Sequence, residues 1–217
     1  MTEPLSRVRE LDLPLVILIG GATGTGKSTV ATEIAYRLGI TRVTSTDFVR
    51  ETMRAFFSRE FMPSIHCSSF EAAEAAPGAD DPLVAGFLEQ AGQVLVGVRA
   101  SIERALAEGR SMVLEGVHLV PGLLPPLEEH VLVTACVLKI EDETAHAQHF
   151  FTRESRTQRP MARYLDHFAE IRRLQRLIVE RAEHERVPVI ENENADEATR
   201  AIAELVLAAA ERARERI

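Results

Sequence analysis

The amino-acid sequence predicts a three-layer α/β fold, with helices on both faces of a parallel sheet of about five strands. Three observations carry that expectation. Short β-branched runs alternate with longer stretches whose apolar residues recur every three to four positions, as βα units require. The first such run empties into a glycine-rich segment that opens a helix. No internal repeat or domain-sized linker interrupts the 217 residues, so residues 1–217 read as a single domain.

Taken in order, Leu13 to Ile19 form a continuous apolar run suited to a strand buried on both faces. After GGATGTGKST, the residues Val30, Ile34, Ala35 and Leu38 fall at helical spacing, with Gly39 placed to end the helix. Ile40 to Thr46 reads as a second strand, followed by a helix starting near Asp47 with Val49, Met53, Phe56 and Phe57 on one side. Pro63 to Pro82 shows no clear period and reads as an insertion or loop over a site. Leu83 to Leu106 is a long helical pattern closed by Gly109. Met112 to Leu114 and Val131 to Ile140 are further strands, separated by VPGLLPPLEEH, which permits at most a short helix. A helix follows from Asp142 as N-cap past Phe151, then another with Leu165, Phe168, Ile171, Leu174, Leu177 and Ile178 as its stripe. Val187 to Ile190 is a last strand and Ala195 to Arg214 a last amphipathic helix.

With 25 Lys+Arg against 33 Asp+Glu, the net charge of −8 argues against nucleic acid or an anionic membrane as partner, since both polyanions repel an acidic chain. The N-terminal MTEPLSRVRELDLP lacks the apolar centre of a signal peptide, and no apolar run is long enough to span a bilayer. A cytoplasmic location is expected, and a homo-oligomer remains compatible with the composition. Cys67 and Cys136 are too few for a disulfide framework or a four-ligand zinc site and read as structural. Only two basic residues are lysine, Lys27 and Lys139. From Arg153 to Arg186 nine arginines face six carboxylates, a local basic stretch in an acidic chain.

Gly21 to Ser28 fits GxxxxGK[ST] between a strand and a helix, the context its mechanism needs. Gly21, Ala22, Thr23, Gly24, Thr25, Gly26, Lys27, Ser28 and Thr29 are therefore the candidate nucleotide-binding residues. Their N–H groups would cradle phosphates, Lys27 would reach the β and γ phosphates of ATP, and the Ser28 hydroxyl would meet Mg²⁺. No NKxD or DxxG signature of a GTPase occurs, and the apolar run MVLEG ends in one carboxylate, Glu115, rather than the Asp-Glu pair of large ATP-driven machines. A compact kinase with a small acceptor, or an ATPase-like switch, remains. Asp47, beyond a strand's carboxyl end, is placed to position an acceptor hydroxyl or to cap its helix. Arg50 and Arg54 share its helix face, as pocket cations or as solvated surface. Arg153, Arg156 and Arg159 precede Pro160 and suggest a lid closing over phosphates, whereas Arg172, Arg173 and Arg181 read as a solvated face. His118 and His66 are candidate donors to an anionic acceptor. His146 and His149 read as ordinary helix residues.

Several segments together resemble the 2-phosphoglycerate kinase family: GGATGTGKSTVATEIAYRLGITRVTSTDFVRE, IHCSSFEA, GFLEQ, VRASIERA, VLEGVHLVPG and RYLDHFAEIRRLQ. The resemblance implies a P-loop fold similar to nucleoside-monophosphate kinases, Mg²⁺, and ATP-dependent phosphorylation of 2-phosphoglycerate to 2,3-bisphosphoglycerate. Within the same family similar kinases act on other small anionic alcohols such as mevalonate phosphate, so the acceptor stays open, as does a nucleotide switch without one. Carried over by motif, Lys27 stabilises the γ-phosphate, Asp47 orients or deprotonates the acceptor hydroxyl, and Ser28, Asp47 and Glu115 are the metal candidates. Arg50, Arg54, His66, Ser68, Ser69, Glu115, His118 and Arg159 become candidate acceptor contacts, with approximately 48–110 as a helical acceptor region and approximately 142–184 as an Arg-rich lid. No larger extension precedes the glycine loop, so any regulatory module of longer relatives is expected to be missing.

Overall fold

A computed structural model describes residues 13–124, 127, 131–154 and 161–215. Five strands form one parallel sheet in the order β2-β3-β1-β4-β5, where β1 is Leu15–Gly20, β2 Val43–Ser45, β3 Met112–Glu115, β4 Leu132–Lys139 and β5 Val189–Glu191. The helices are α1 (Lys27–Leu38), α2 (Thr46–Phe56), α3 (Pro82–Ala107), α4 (Glu143–Glu154), α5 (Met161–Asp166), α6 (Phe168–His184) and α7 (Ala195–Arg214).

Strand alternation divides the core between two helical layers. On β1, Leu15, Ile17 and Ile19 pack with Ile34 of α1 and Ile202 of α7. Val16 and Leu18 point the other way, toward Val94, Val98 and Ile102 of α3. Val137 of β4 joins Phe87 of α3 and Ile178 of α6 on that second side. Val16, Ile17 and Ile19 are fully buried, each worth about 1.5–3 kcal/mol by transfer, and this anchors the central strand whose carboxyl end carries the glycine loop.

Several boundaries differ from the sequence expectation. The second strand is only Val43–Ser45, because Ser45 caps α2 by accepting the Asp47 N–H at 3.2 Å. Asp47 is thus the second residue of the helix and not its cap. Phe56 is exposed at the end of α2, and only Val49 of the expected stripe is fully buried. The aperiodic 63–82 stretch contains two 3₁₀ turns, Pro63–His66 and Ser69–Ala75, packed against α3 and invisible to a search for helical period. The Arg-rich helix is two helices, α5 and α6, broken at His167. Asp142 caps α4 as expected, accepting the Ala145 N–H at 2.7 Å. Among the described residues no helix is long and apolar enough to cross a membrane.

Candidate active site

The glycine loop leaves β1 at the centre of the sheet, where flanking strands run to opposite sides and a crevice opens beyond their carboxyl ends. Its carbonyls are drawn outward by side chains from distant elements. His146 Nε2 donates to Thr23 O at 2.8 Å, His149 Nδ1 to Gly24 O at 3.0 Å, and Asn192 Nδ2 to Thr25 O at 2.8 Å. Lys27 Nζ, 7% exposed, donates to Ala22 O at 2.7 Å. In a trans peptide the next N–H points opposite to the carbonyl, so with the Thr23 and Thr25 carbonyls held by His146 and Asn192 the Gly24 and Gly26 N–H groups face the other side of the loop. Gly24 has φ +89, and a Cβ there would lie 2.5 Å from the Phe150 ring and 2.9 Å from His146 Nε2, so only glycine lets α4 press on the loop.

The tautomer of His146 follows from its partners. Arg172 Nη1 can only donate, so His146 Nδ1 accepts at 3.4 Å and Nε2 carries the proton given to Thr23. Burial pushes His146 down to about 4, which keeps it neutral in this role. Arg172 itself is 9% exposed, with Nη1 on Ile140 O at 2.6 Å and Nη2 on Glu141 O at 2.8 Å. It is a buried brace for the end of β4 and not the solvated arginine expected. Arg173 meets that expectation, half exposed beside Asp81, while Arg181 donates to Pro121 O at 3.1 Å. His146, His149 and Asn192 escaped sequence reasoning because a histidine pair at i, i+3 has no pattern that says what it will face.

At the end of β3, Glu115 is 6% exposed and accepts the Ser28 hydroxyl at 2.9 Å. One hydroxyl and one carboxylate at the mouth of a phosphate cradle suit Mg²⁺, which takes one or two protein oxygens beside phosphates and water. Among the described residues no three His, Cys, Asp or Glu side chains cluster as a closed metal site.

The acceptor candidates gather around one cavity of about 340 Å³. Asp47, Arg50, Arg54, His66, Ser68 and Ser69 line it, and so does Thr23 of the glycine loop. Asp47 is half exposed there, with Arg50 Nε 3.4 Å from its carboxylate. Arg50 is 6% exposed and sends Nη1 to Ile65 O at 2.9 Å and Cys67 O at 3.1 Å, while Nη2 meets Glu51 at 2.8 Å. Arg54 grips both oxygens of the same Glu51, at 2.8 and 2.9 Å. His66 Nε2 donates to Phe57 O at 2.9 Å, which engages one of its two ring nitrogens. Arg163 and Tyr164 of α5 complete the wall, and neither was a sequence candidate.

His118 requires a correction. It is fully buried, and both ring nitrogens are engaged away from the cavity. Gln90 Nε2 donates to Ser64 O at 2.6 Å and Cys67 O at 3.0 Å, so Gln90 Oε1 must accept from His118 Nε2 at 3.1 Å. Nδ1 is then the acceptor for the Thr46 hydroxyl at 2.8 Å. Burial pushes His118 down to about 4, in keeping with a neutral ring. Its place is behind the site, tying the residue next to Asp47 to the loop that carries Ser68. Glu115 likewise does not line the cavity and lies on the Ser28 side. Arg153 lies on α4 with its side chain outside the described residues, and Arg156 and Arg159 lie outside them altogether. Cys67 and Cys136 are buried free thiols, and burial pushes Cys136 up to about 12. A second cavity of about 380 Å³, walled by Leu18, Leu119, Val133 and Val137 among others, has no charged group among its described lining residues to hold a phosphate.

The chain is 39% identical over 203 residues to the 2-phosphoglycerate kinase of Pyrococcus horikoshii, a match covering 93% of this chain and 67% of that protein. The chain belongs to the 2-phosphoglycerate kinase family. Other 2-phosphoglycerate kinases are as similar, from Methanopyrus kandleri (40% over 196 residues, 88% of this chain and 60% of that one) and Methanothermobacter thermautotrophicus (44% over 193 residues, 86% and 63%). The chain thus spans under two thirds of the length of these last two relatives. No protein-family model matches it. Among solved structures, shikimate kinase from Acinetobacter baumannii aligns with TM-score 0.50 at 15% identity, covering 93% of this chain and 97% of that one. This member of the 2-phosphoglycerate kinase family therefore has the P-loop kinase fold, with Thr23 of its glycine loop lining the same cavity as Asp47.

Proposed function

We propose that the chain transfers the γ-phosphoryl of ATP to the free hydroxyl of 2-phosphoglycerate, giving 2,3-bisphosphoglycerate and ADP. One observation carries this reading beyond the family name: Thr23 of the glycine loop and Asp47 line the same arginine-walled cavity, so a donor phosphate and an anionic acceptor meet there. The acceptor oxygen forms the new P–O bond as the bond from the γ-phosphorus to the β,γ-bridging oxygen breaks, and ADP leaves with that oxygen. Asp47 orients the hydroxyl and takes its proton. Lys27 neutralises charge on the transferring group, and the glycine-loop N–H groups hold the β-phosphate. Ser28 and Glu115, with Asp47 as a further carboxylate, would hold Mg²⁺, and the ion would supply neutralisation of the charge on the phosphates. Arg50, Arg54, His66, Ser68 and Ser69 form the acceptor wall, within a single kinase domain whose acceptor region is approximately 48–110 and whose Arg-rich region is approximately 142–184, where Arg153, Arg156 and Arg159 are the lid arginines while α6 stays packed in the core. We take the cytoplasm as its location, where ATP is abundant and thiols such as Cys67 stay reduced.

The test is ADP release from Mg-ATP by the purified protein, with 2-phosphoglycerate, 3-phosphoglycerate, glycerate and mevalonate phosphates offered in turn. Saturable stimulation by 2-phosphoglycerate alone, with 2,3-bisphosphoglycerate as product, is expected. Stimulation by another alcohol would reassign the acceptor, and silence across the panel with ATP bound would favour a nucleotide switch.

A further inference from the structure

Among the described residues three arginines line the acceptor cavity, and they stand in unlike settings. Arg50 is buried and committed to the carbonyls of Ile65 and Cys67. Arg54 shares Glu51 with it on α2. Arg163 comes from α5, across the cavity, and its side chain is 51% exposed. Its Nε donates to Glu71 Oε1 at 3.0 Å, and its Nη2 reaches Glu71 Oε2 and, at 3.2 Å, the hydroxyl of Ser68. Phe70, another wall residue, lies under the guanidinium at 5.7 Å.

Glu71 is the fixed member of this pair. Its side chain is only 18% exposed and does not line the cavity. It is held from two further directions, by the Ser68 N–H at 3.4 Å in a capping box and by His167 Nε2 at 3.6 Å. Burial pushes its carboxyl up, but Arg163, the Ser68 N–H and His167 outweigh that and hold it below the usual carboxylate range. Glu71 is therefore anionic at neutral pH and occupies the fork that a phosphate or carboxylate of an acceptor would use. Losing Arg163 would still leave it two partners. Arg163, by contrast, is half exposed and already lines the cavity, and the Ser68 N–H and His167 would remain beside Glu71 if its guanidinium turned to a ligand there.

We infer that Arg163 binds an anionic group of the acceptor in exchange for Glu71, and that Glu71 thereby sets the acceptor's affinity. This rests on the acceptor reading of the cavity given above. Its substance is competition: the acceptor displaces an internal carboxylate, and the ATP side of the site takes no part.

Calorimetric titration of 2-phosphoglycerate onto protein saturated with Mg²⁺ and a non-hydrolysable ATP analogue separates the cases. Glu71→Gln keeps the capping bond while removing the competing charge, and it should tighten acceptor binding about two- to fivefold, the worth of a partly exposed ion pair. Arg163→Ala should weaken binding roughly tenfold, and Arg163→Lys should recover part of that. The double variant should bind as weakly as Arg163→Ala alone, and affinity for the ATP analogue should be unmoved throughout. Unchanged or weaker binding in Glu71→Gln, or an independent effect of Glu71→Gln in the Arg163→Ala background, overturns the inference. If the unaltered protein binds no 2-phosphoglycerate, the acceptor assignment has failed. The same variants titrated with inorganic phosphate then decide the exchange by the same criteria, tighter in Glu71→Gln and weaker in Arg163→Ala, with no difference overturning it.

Discussion

At the nucleotide end of the site, side chains from α4 and from the segment after β5 hold backbone carbonyls, which leaves the backbone N–H groups as the proposed phosphate donors. At the acceptor end, side chains hold one another: Arg50 and Arg54 on Glu51, Arg163 on Glu71, Asp47 beside Arg50. A cradle of N–H groups needs a particular chain path, so it demands glycines at set intervals. A pocket of paired charges needs only that the pairs be exchangeable, so many sequences would serve and its ligand can change by altering single side chains. The first kind of site resists change and the second invites it.

The sharpest way to break this contrast is to remove the charged side chain that the nucleotide end presents to the transferring group. Lys27→Ala should lower the phosphoryl-transfer rate by roughly a thousandfold or more, read as ADP release, with far-UV circular dichroism unchanged. Retained turnover would show that the cradle alone suffices. Asp47→Asn should cost on the order of a hundred- to a thousandfold in kcat while ATP binding by calorimetry stays intact; equal losses at both ends would show that they are not separable.

Each end also contains one buried neutral histidine, His146 for the cradle and His118 for the acceptor loop, both depressed by burial from 6.5 to about 4. The unfolded chain takes up these protons below about pH 6.5 and the folded chain only near 4, so stability is full at neutral pH and falls as pH drops through that interval. Up to about 3 kcal/mol is at stake for each ring. Urea titrations at pH 7 and pH 5 should show this loss, and a variant lacking either ring should show roughly half the pH slope. A slope removed entirely by one variant would mean that the other histidine takes up its proton over the same pH range folded as unfolded.

The smallest expected effect compares neighbours on α2. Arg50→Ala, which unties the Ile65 and Cys67 carbonyls, should destabilise the fold by about 2–3 kcal/mol in denaturant titration. Arg54→Ala, whose bonds among the described residues go to Glu51 on the same helix, should change stability by less than about 1 kcal/mol and act on acceptor KM.

Where local chemistry decides, the structure keeps to the sequence pattern. Helix α7 spans Ala195–Arg214 as its periodicity indicates, and Asp142 caps α4. The glycine loop sits between β1 and α1, and six acceptor candidates drawn from residues 47–69 share one cavity. The departures arise where partners lie far apart along the chain. His118 looked like a ligand because it follows a strand, yet Thr46 and Gln90 had already engaged both its nitrogens. Arg172 looked solvated because charge runs usually are, yet β4 ends in carbonyls that need donors. Arg163 and Tyr164 were absent from the candidates because nothing local says that α5 will cross to the 3₁₀ turns.

The sequence by itself determined the alternation of strands and helices, the phosphate cradle and the segment that carries Asp47, because periodicity, capping and left-handed glycines act within a few residues. Only the tertiary structure decided which histidines brace and which arginines face the cavity. A side chain's role there is set by whichever donor or acceptor 20 to 170 residues away reaches it first, as the separations of 72 residues for Thr46 and His118 and 167 for Asn192 and Thr25 illustrate.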